Sequence, residues 1–133
     1  MMLDENIKKD SEQKIDDIKY ALNTFINAAD NSDAELLETV IHENYINTQY
    51  GFFGEPGVYN IGKTKYLSYI KDKTFGGLPR SINIIDSKIF DNTAMVEVVL
   101  ESKALIFHSY IHLILDHNKW QVIGNYPNVV TKL

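Results

Sequence analysis

Two histidines, His108 and His112, lie on either side of Tyr110 in a segment that is otherwise mostly apolar. An imidazole transfers protons near neutral pH, and its unprotonated ring nitrogen binds transition metals. A metal site would need a third ligand, and Glu97 is the one candidate nearby. Three interpretations of this pair therefore stand side by side: catalysis, metal binding and a subunit interface. The strand pattern described below favours the interface, and we predict no metal site.

Acid–base chemistry elsewhere would depend on His42, Glu43 or Glu55. His42 follows an apolar helical pattern and is predicted to end that helix, where an imidazolium suits the negative helix terminus. Glu43 comes directly after it, and Glu55 lies in a stretch rich in glycine. Each of them would have to reach a pocket in order to act on a substrate.

The composition excludes several classes of protein. The chain has 133 residues, 44% hydrophobic and 23% charged, as is typical of one globular domain. It has no cysteine, which excludes disulfides, thiolate metal sites and a cysteine nucleophile. The 13 basic residues are scattered and the net charge is −5, which argues against nucleic-acid binding. Without a long apolar run or a signal-like N-terminus, we expect a cytoplasmic protein with no membrane partner.

Hydrophobic periodicity predicts two helices, a strand, a third helix and a meander of four strands. The first helix is predicted between a capping box at Asp10 and Gln13 and a C-terminal cap at Asn31. Residues 1–10 are then a flexible N-terminus and residues 11–133 form a single domain. A second helix is predicted from Ser32 or Asp33, and a third over 63–73.

Alternation predicts a strand over residues 45–50, with Ile46, Thr48 and Tyr50 inward, followed by a loop over 51–62. Four more strands are predicted over 81–90, 93–101, 104–115 and 120–126. Two-residue turns at 91–92 and 102–103 would place Asp86 opposite Glu97, and Glu97 opposite His108. Helices on one side of an antiparallel sheet define an α+β fold.

Strand parity separates a charged face from an apolar face. The charged face holds Asp86, Lys88, Glu97, Glu101 and His108. Unpaired buried charge is costly, so the other face must turn towards the helices. That inward face is predicted to contain Ile85, Ile89, Val96, Val98, Leu100, Phe107, Ser109, Ile111, Leu113, Trp120, Val122 and Tyr126.

Residues 11–126 resemble the nuclear-transport-factor-2-like superfamily, and within it the SnoaL-like and lumazine-binding group. Three stretches carry the resemblance. They are Ile18-x-x-Ala21-Leu22-x-x-Phe25-Ile26-x-Ala28-x-x-x-x-Asp33, then Glu43-Asn44-Tyr45-Ile46, and then Tyr110-Ile111-x-Leu113 followed by Asn118-Lys119-Trp120-Gln121-Val122-Ile123. The resemblance implies a cone-shaped domain in which three helices close a strongly curved antiparallel sheet around a cavity, often as a dimer.

The resemblance also allows the catalytic positions of relatives to be compared. Steroid isomerases have a base aspartate on the strand after the second helix, and residues 45–50 contain no carboxylate here. Their helix-one tyrosine aligns with Phe25, and their second pocket aspartate falls near Ser109. The histidine of SnoaL-like cyclases falls near Thr48. We therefore predict that this protein lacks steroid-isomerase activity.

The leading hypothesis is a small-molecule-binding domain with an apolar pocket and no cofactor. Its predicted ligand-binding residues are Phe25, Thr48, Tyr50, Tyr66, Phe107, Ser109, Ile111, Trp120 and Tyr126. The alternatives are an isomerase, cyclase or dehydratase, a dimeric interaction module without a ligand, and a core filled by these same side chains. A homodimer is predicted through the outer sheet face at Ile106, Tyr110, His112, Ile114 and Ile123, because contiguous apolar surface usually marks an interface.

Overall fold

A computed structural model describes the backbone of residues 2–132 and the side chains of residues 10–132. Three helices and six strands follow one another as α1 (Met2–Asp30), α2 (Ala34–Glu38), β1 (Ile41–Phe52), β2 (Glu55–Gly62), α3 (Lys63–Lys71), β3 (Ser81–Phe90), β4 (Thr93–Glu101), β5 (Leu105–Asp116) and β6 (Lys119–Thr131). The strands form one sheet in the order β2-β1-β6-β5-β4-β3. All neighbours are antiparallel except β1 and β6, which are parallel. This confirms the predicted α+β fold with helices packed on a curved sheet.

Helix α1 buries one stripe of side chains, including Ile18, Leu22 and Phe25, as its periodicity predicts. The predicted start at Asp10 is wrong, because the helix already begins at Met2 and residues 2–10 form its first turns. Gln13 makes no cap, and its amide instead donates to Asp17 one turn further along. A helical backbone through this segment leaves no N-terminal groups at Asp10 to be capped.

The C-terminal end of α1 agrees with the predicted cap at Asn31. The N–H of Ser32 donates to the carbonyl of Ala29, and the N–H of Asp33 donates to that of Ala28. Ser32 has φ 55°, the left-handed conformation that follows a helix cap. This pair of bonds turns the chain directly into α2.

Helix α2 is a short helix capped by Asp33, whose side chain accepts a hydrogen bond from the N–H of Leu36. The helix ends at Glu38, so the prediction that His42 closes it is wrong. His42 is the second residue of β1 and its imidazole is buried. The predicted dipole interaction therefore does not form.

The predicted loop over residues 51–62 is also wrong, because these residues complete a β-hairpin. Phe52 pairs with Glu55, which leaves Phe53 and Gly54 as a two-residue turn. Both turn residues have positive φ, 48° and 87°, as a type I′ hairpin requires. The glycines that suggested a loop are the residues that allow this turn and the adjoining irregular pairing at Gly51.

The meander from β3 to β6 matches the predicted faces but not every pair of residues. The turn at 91–92 forms, and Asp86 pairs with Glu97 as predicted. The next connection is two residues longer than predicted, since Glu101 pairs with Ile106, so Glu97 faces Tyr110 and His108 faces Val99. A shift of two positions preserves strand parity. The His108 imidazole still reaches diagonally to Glu97, with Nε2 2.6 Å from Oε2.

The inner face is closely packed where β5 ends and β6 begins. We call this region the packed end and define it by Leu22, Leu113, Trp120 and Val122, each at most 6% exposed. Trp120, Val122 and Ile111 are buried and Phe107 is partly buried, while Asp86 and Lys88 are exposed.

Two residues predicted inward on β3 are more exposed than expected. Ile89 keeps the predicted face, since it pairs with the buried Ala94, but it is 38% exposed because β3 is an edge strand. Ile85 is 52% exposed because it is the unpaired residue where the pairing is interrupted between Ile84 and Asp86. An interruption of this kind bends an edge strand away from the layer that covers its neighbours.

Candidate functional site

A cavity of about 510 Å³ lies at the opposite end of the inner face, between α1, α3 and the ends of β1 and β6. We call this region the cavity end. Its apolar walls come from α1, α3, the sheet and the loop after α3. They include Phe25, Tyr66, Phe107, Ile111, Phe52 and Phe75. Side chains from five separate segments therefore enclose one space.

Aromatic rings in this wall pack against one another. Phe25 and Tyr66 stack with their planes 10° apart and their centroids separated by 6.1 Å. Phe75 packs against Tyr66 at 5.9 Å and against Phe52 at 5.9 Å, which joins α3 to the β1–β2 hairpin. Aromatic pairs at these separations stabilise each other beyond their buried area.

The loop after α3 is held against α1 by a close backbone approach. Gly76 lines the cavity with φ 73°, and a Cβ atom placed there would lie 2.1 Å from the carbonyl oxygen of Ala29. The N–H of Gly77 donates to the same oxygen at 3.1 Å. Only glycine permits both the conformation and the approach at position 76. The loop is thereby fixed as the cavity's rim.

The floor of the cavity is polar and consists of a chain of amides. Asn125 Nδ2 donates to Asn47 Oδ1 at 3.2 Å, and Asn47 Nδ2 donates to Gln49 Oε1 at 2.8 Å. Gln49 Nε2 donates to the carbonyl oxygen of Gly51 at 2.9 Å. Because that last atom can only accept, it sets the direction of every amide in the chain. Asn125 Oδ1 remains buried and has no hydrogen-bond partner.

Asn125 reaches this floor because of a β-bulge in β6. His112 pairs with Gly124 and Leu113 pairs with Val122, so Ile123 is an extra residue that has no partner. Beyond it the strand parity is inverted, and Asn125 faces inward. The prediction of Tyr126 as a pocket residue is therefore wrong, since Tyr126 is 44% exposed on the other face. A glycine inside a strand often marks a bulge, so Gly124 could have revealed it.

The predicted faces of β1 are inverted as well. Tyr45 and Asn47 are buried, whereas Ile46 is 46% exposed. Thr48 points away from the cavity, where its hydroxyl donates to Asn60 Oδ1. A hydrophobic pattern places apolar side chains on the inward face of a strand. On β1 the inward face instead carries amides of the cavity floor, so the predicted faces are exchanged.

One ion pair borders the cavity. Arg80 Nε lies 2.6 Å from Asp30 Oδ1, and the backbone N–H of Arg80 donates to Asp30 Oδ2. The guanidinium also stacks over the Phe107 ring at 4.7 Å from its centroid. Burial raises the pKa of Asp30 above its usual 3.8, although the charge of Arg80 opposes this. Sequence reasoning missed both residues, and the signal available was that Arg80 is the single arginine of the chain.

Six of the nine predicted ligand-binding residues line the cavity. They are Phe25, Tyr50, Tyr66, Phe107, Ser109 and Ile111. Thr48 and Tyr126 lie on the wrong face, and Trp120 lies at the packed end. That any of these residues binds a ligand stays a prediction.

The buried phenols of Tyr45 and Tyr66 are in their neutral form at physiological pH. Burial raises the pKa of Tyr45 well above 10, and burial also raises the pKa of Tyr66. The positive charge of Arg80 acts in the opposite direction on Tyr66. Both side chains therefore act as hydrogen-bonding and packing groups rather than as bases.

The acid–base candidates lie away from this cavity. His42 Nε2 is 2.8 Å from Asp116 Oδ2, and Glu43 and Glu55 are exposed. Along the described part of the chain, the cavity lining includes no carboxylate and no imidazole. Within that same part, no three histidine, aspartate or glutamate side chains converge as a metal site would require.

The outer sheet face has a mixed surface. Ile106, Tyr110, His112, Ile114 and Ile123 are all partly buried within the single chain. The His112 ring packs edge-on against Tyr126, with centroids 5.3 Å apart. Among residues 2–132, no helix has both the length and the apolar character needed to cross a membrane.

Comparisons with known proteins agree on the fold. Residues 13–126 match a family model described as "Putative lumazine-binding". An NTF-2 like protein of unknown function from Silicibacter pomeroyi superposes with a TM-score of 0.77 at 13% identity, covering 90% of this chain and 98% of that one. A similar protein of unknown function from Shewanella baltica gives 0.77 at 12% identity, covering 90% and 96%. An NTF2-like protein from Cytophaga hutchinsonii gives 0.67 at 18% identity, covering 86% and 97%. No protein of curated function matches the sequence.

Proposed function

The chain belongs to the family described as "Putative lumazine-binding", and we propose that it binds a small molecule whose flat, mostly apolar ring system occupies the cavity end. The observation that carries the proposal is the cavity of about 510 Å³, which a domain of this size could have filled with its own side chains. Ligand sites usually measure about 300–1,000 Å³ and combine apolar walls with a few polar groups. The aromatic wall and the amide floor supply that combination.

The charge of the lining favours a neutral ligand. Arg80 is the one ionised group in the described lining, and its guanidinium is already paired with Asp30. An anionic ligand would have to compete with this carboxylate, and a cationic ligand would meet no free anion. Flat rings, in contrast, can stack on Phe25, Tyr66 and Phe107 without desolvating a charge.

The alternative of an isomerase, cyclase or dehydratase has less support. Such an enzyme needs a titratable group within hydrogen-bond reach of the proton that moves. Apart from the paired Arg80, the titratable side chains of the described lining are Tyr50 and Tyr66, and the pKa of Tyr66 is raised by burial. We expect purified protein to convert a β,γ-enone to its conjugated isomer no faster than buffer does. Turnover well above the buffer rate would favour the enzyme.

We further propose that the outer face forms a homodimer through Ile106, Tyr110, His112, Ile114 and Ile123. The support is that an apolar and aromatic set lies on the side of the sheet opposite the helices, where a monomer would present it to water. Sedimentation at micromolar concentration and neutral pH should give a dimer. Tyr110→Lys should give a monomer, and a wild-type monomer would contradict the proposal.

Calorimetric titration with lumazine tests the binding proposal. Leu105 lines the cavity and is partly buried, so Leu105→Trp reduces the cavity without touching the packed end. The matched control is Leu36→Trp, which places the same side chain at an exposed position on α2. We expect wild type and Leu36→Trp to bind and Leu105→Trp to lose at least tenfold in affinity, with all three melting cooperatively. Equal binding by both variants would place the ligand elsewhere.

A further inference from the structure

The amide chain on the cavity floor ends in an acceptor, Asn125 Oδ1, that has no hydrogen-bond partner among residues 10–132, where the buried Tyr45 hydroxyl also has none. Asn125 is 7% exposed and lines the cavity, and its Oδ1 has no hydrogen-bond partner. Leaving a buried acceptor without a donor costs roughly 1–3 kcal/mol. Native proteins rarely leave such a group unsatisfied without a functional reason. The site therefore lacks a hydrogen-bond donor for Asn125 Oδ1, which a ligand could supply.

The identity of this atom as oxygen follows from the chain's direction. If the oxygen and nitrogen of the Asn125 amide were exchanged, its oxygen would face Asn47 Oδ1, and two acceptors would meet. Avoiding this would require the same exchange in the amides of Asn47 and Gln49. The last exchange would place Gln49 Oε1 against the carbonyl oxygen of Gly51, where neither atom has a hydrogen to donate. The backbone at Gly51 thus fixes Asn125 with its carbonyl oxygen unpaired.

The strand register places this atom in the middle of the cavity floor. Asn125 pairs with Asn47 on one side and with Ile111 on the other. Ser109 lies two positions before Ile111 on the same inward face and also lines the cavity. A flat ring lying on Ile111 would bring its edge to Asn125. The surrounding walls are apolar, so an unmatched polar edge would otherwise be poorly solvated there.

From these contacts we infer that Asn125 is the residue that determines ligand specificity, by accepting a hydrogen bond from a ring N–H on the edge of a neutral heterocycle. The inference rests on the proposed binding function and names the ligand class within it. The Arg80–Asp30 ion pair disfavours a charged ligand, and Asn125 Oδ1 favours a ligand that carries a hydrogen-bond donor at this edge. A ring that offers only acceptors at this edge would leave two acceptors facing each other.

Lumazine and 1,3-dimethyllumazine provide a matched pair of probes, because methylation removes both ring N–H donors and keeps the bicyclic ring. The experiment titrates both compounds into wild type, Asn125→Leu and Asn128→Leu. Asn128 is exposed on the same strand and serves as the control. We expect wild type and Asn128→Leu to prefer lumazine at least tenfold, and Asn125→Leu to bind the two compounds within about twofold, since a site built to accept a donor rejects the analogue that lacks it.

Each result decides between the inference and its rivals. Equal binding of the two compounds by wild type would overturn the role of Asn125 while leaving the proposed binding function intact. A preference that persists in Asn125→Leu would show that the methyl groups clash, which also overturns the inference. Failure of both compounds to bind wild type would overturn the inference and the proposed function together.

Discussion

The inner face of the sheet has two ends that differ in how they use their residues. At the packed end, Leu113, Trp120 and Val122 are at most 6% exposed and fill the space beneath α1. At the cavity end, Asn47 and Asn125 occupy inward positions of β1 and β6, Arg80 borders the same space from the loop before β3, and about 510 Å³ remains empty. Both ends belong to the same strands β5 and β6. The difference shows that one part of the sheet supplies stability and the other is free to carry a binding site.

The largest effect is expected at the packed end. Trp120→Ala removes the largest side chain of a closely packed region and should reduce the free energy of unfolding by about 3–5 kcal/mol. Urea denaturation followed by circular dichroism measures this. Phe53→Ala is the control, because Phe53 is 70% exposed and should change stability by less than about 1 kcal/mol. Similar losses for the two variants would remove the distinction between the ends.

A smaller loss is expected from the ion pair at the cavity end. Arg80→Met leaves the carboxylate of Asp30 buried without its partner and should cost about 2–3 kcal/mol at pH 7. Burial already raises the pKa of Asp30, and removing Arg80 raises it further. The pKa of Asp30 is higher in the folded chain than its value of 3.8 in the unfolded chain. Folding stability is therefore greatest below pH 3.8 and decreases as the pH rises through the folded-state pKa. The loss should therefore shrink towards pH 4.

The double variant Asp30→Asn, Arg80→Met provides the control for that explanation. The double variant removes the Asp30 carboxylate charge that the loss of Arg80 would leave unpaired. Its stability should therefore exceed that of Arg80→Met and should vary less between pH 4 and 7. Chemical denaturation at each pH measures both properties. A loss independent of pH in Arg80→Met would mean that Arg80 contributes by packing on Phe107 instead.

The sequence predicts the apolar residues of both ends well and the amides and the ion pair of the cavity end poorly, for a physical reason. Alternation and helical periodicity report the burial of apolar side chains, and Trp120, Val122 and Ile111 are buried as predicted. Asn47 and Asn125 are buried although they are polar, so a pattern based on hydrophobicity assigns them to the surface. The bulge at Ile123 adds a second obstacle, because one extra residue inverts the parity that placed Tyr126 inward.

The ion pair could not be predicted from local patterns. Asp30 and Arg80 are 50 residues apart, and they meet only because the loop containing Gly76 folds back onto the end of α1. In contrast, the cap at Asn31, the turn at 91–92 and the three helices depend on neighbouring residues. Caps, turns and helices can be predicted from neighbouring residues in one sequence. A polar pair between distant residues can be predicted only when the fold is already known.

A near-neutral effect on stability is expected from Asn125→Leu. The substitution removes the donor to Asn47 Oδ1, but it also removes the unsatisfied acceptor and adds apolar contact with the cavity wall. These terms oppose one another, so the net change should lie within about 1 kcal/mol. Thermal and urea denaturation measure it, with Trp120→Ala as the comparison. A loss of several kcal/mol would show that the amide chain is a structural element of the fold and not mainly part of a binding site.

The smallest effect is expected at the boundary between the two ends, where His112 pairs with Gly124 on the outer face. Partial burial lowers the pKa of His112 below 6.5, so the folded state resists protonation of this ring. The unfolded chain then binds more protons as the pH falls below 6.5, and folding stability decreases until the lowered pKa is passed. Because the ring is only partly desolvated, the change should be a few tenths of a kcal/mol. The chain has three other histidines besides His112, so the pH dependence of wild type alone cannot isolate the effect of His112. The difference in stability between wild type and His112→Gln, measured by urea denaturation from pH 7.5 to 5, should be constant above pH 6.5 and should shift in favour of His112→Gln below it. A difference that is flat across the whole range would show that His112 stays accessible to water, and that the outer face at the bulge is open rather than partly covered by Tyr126.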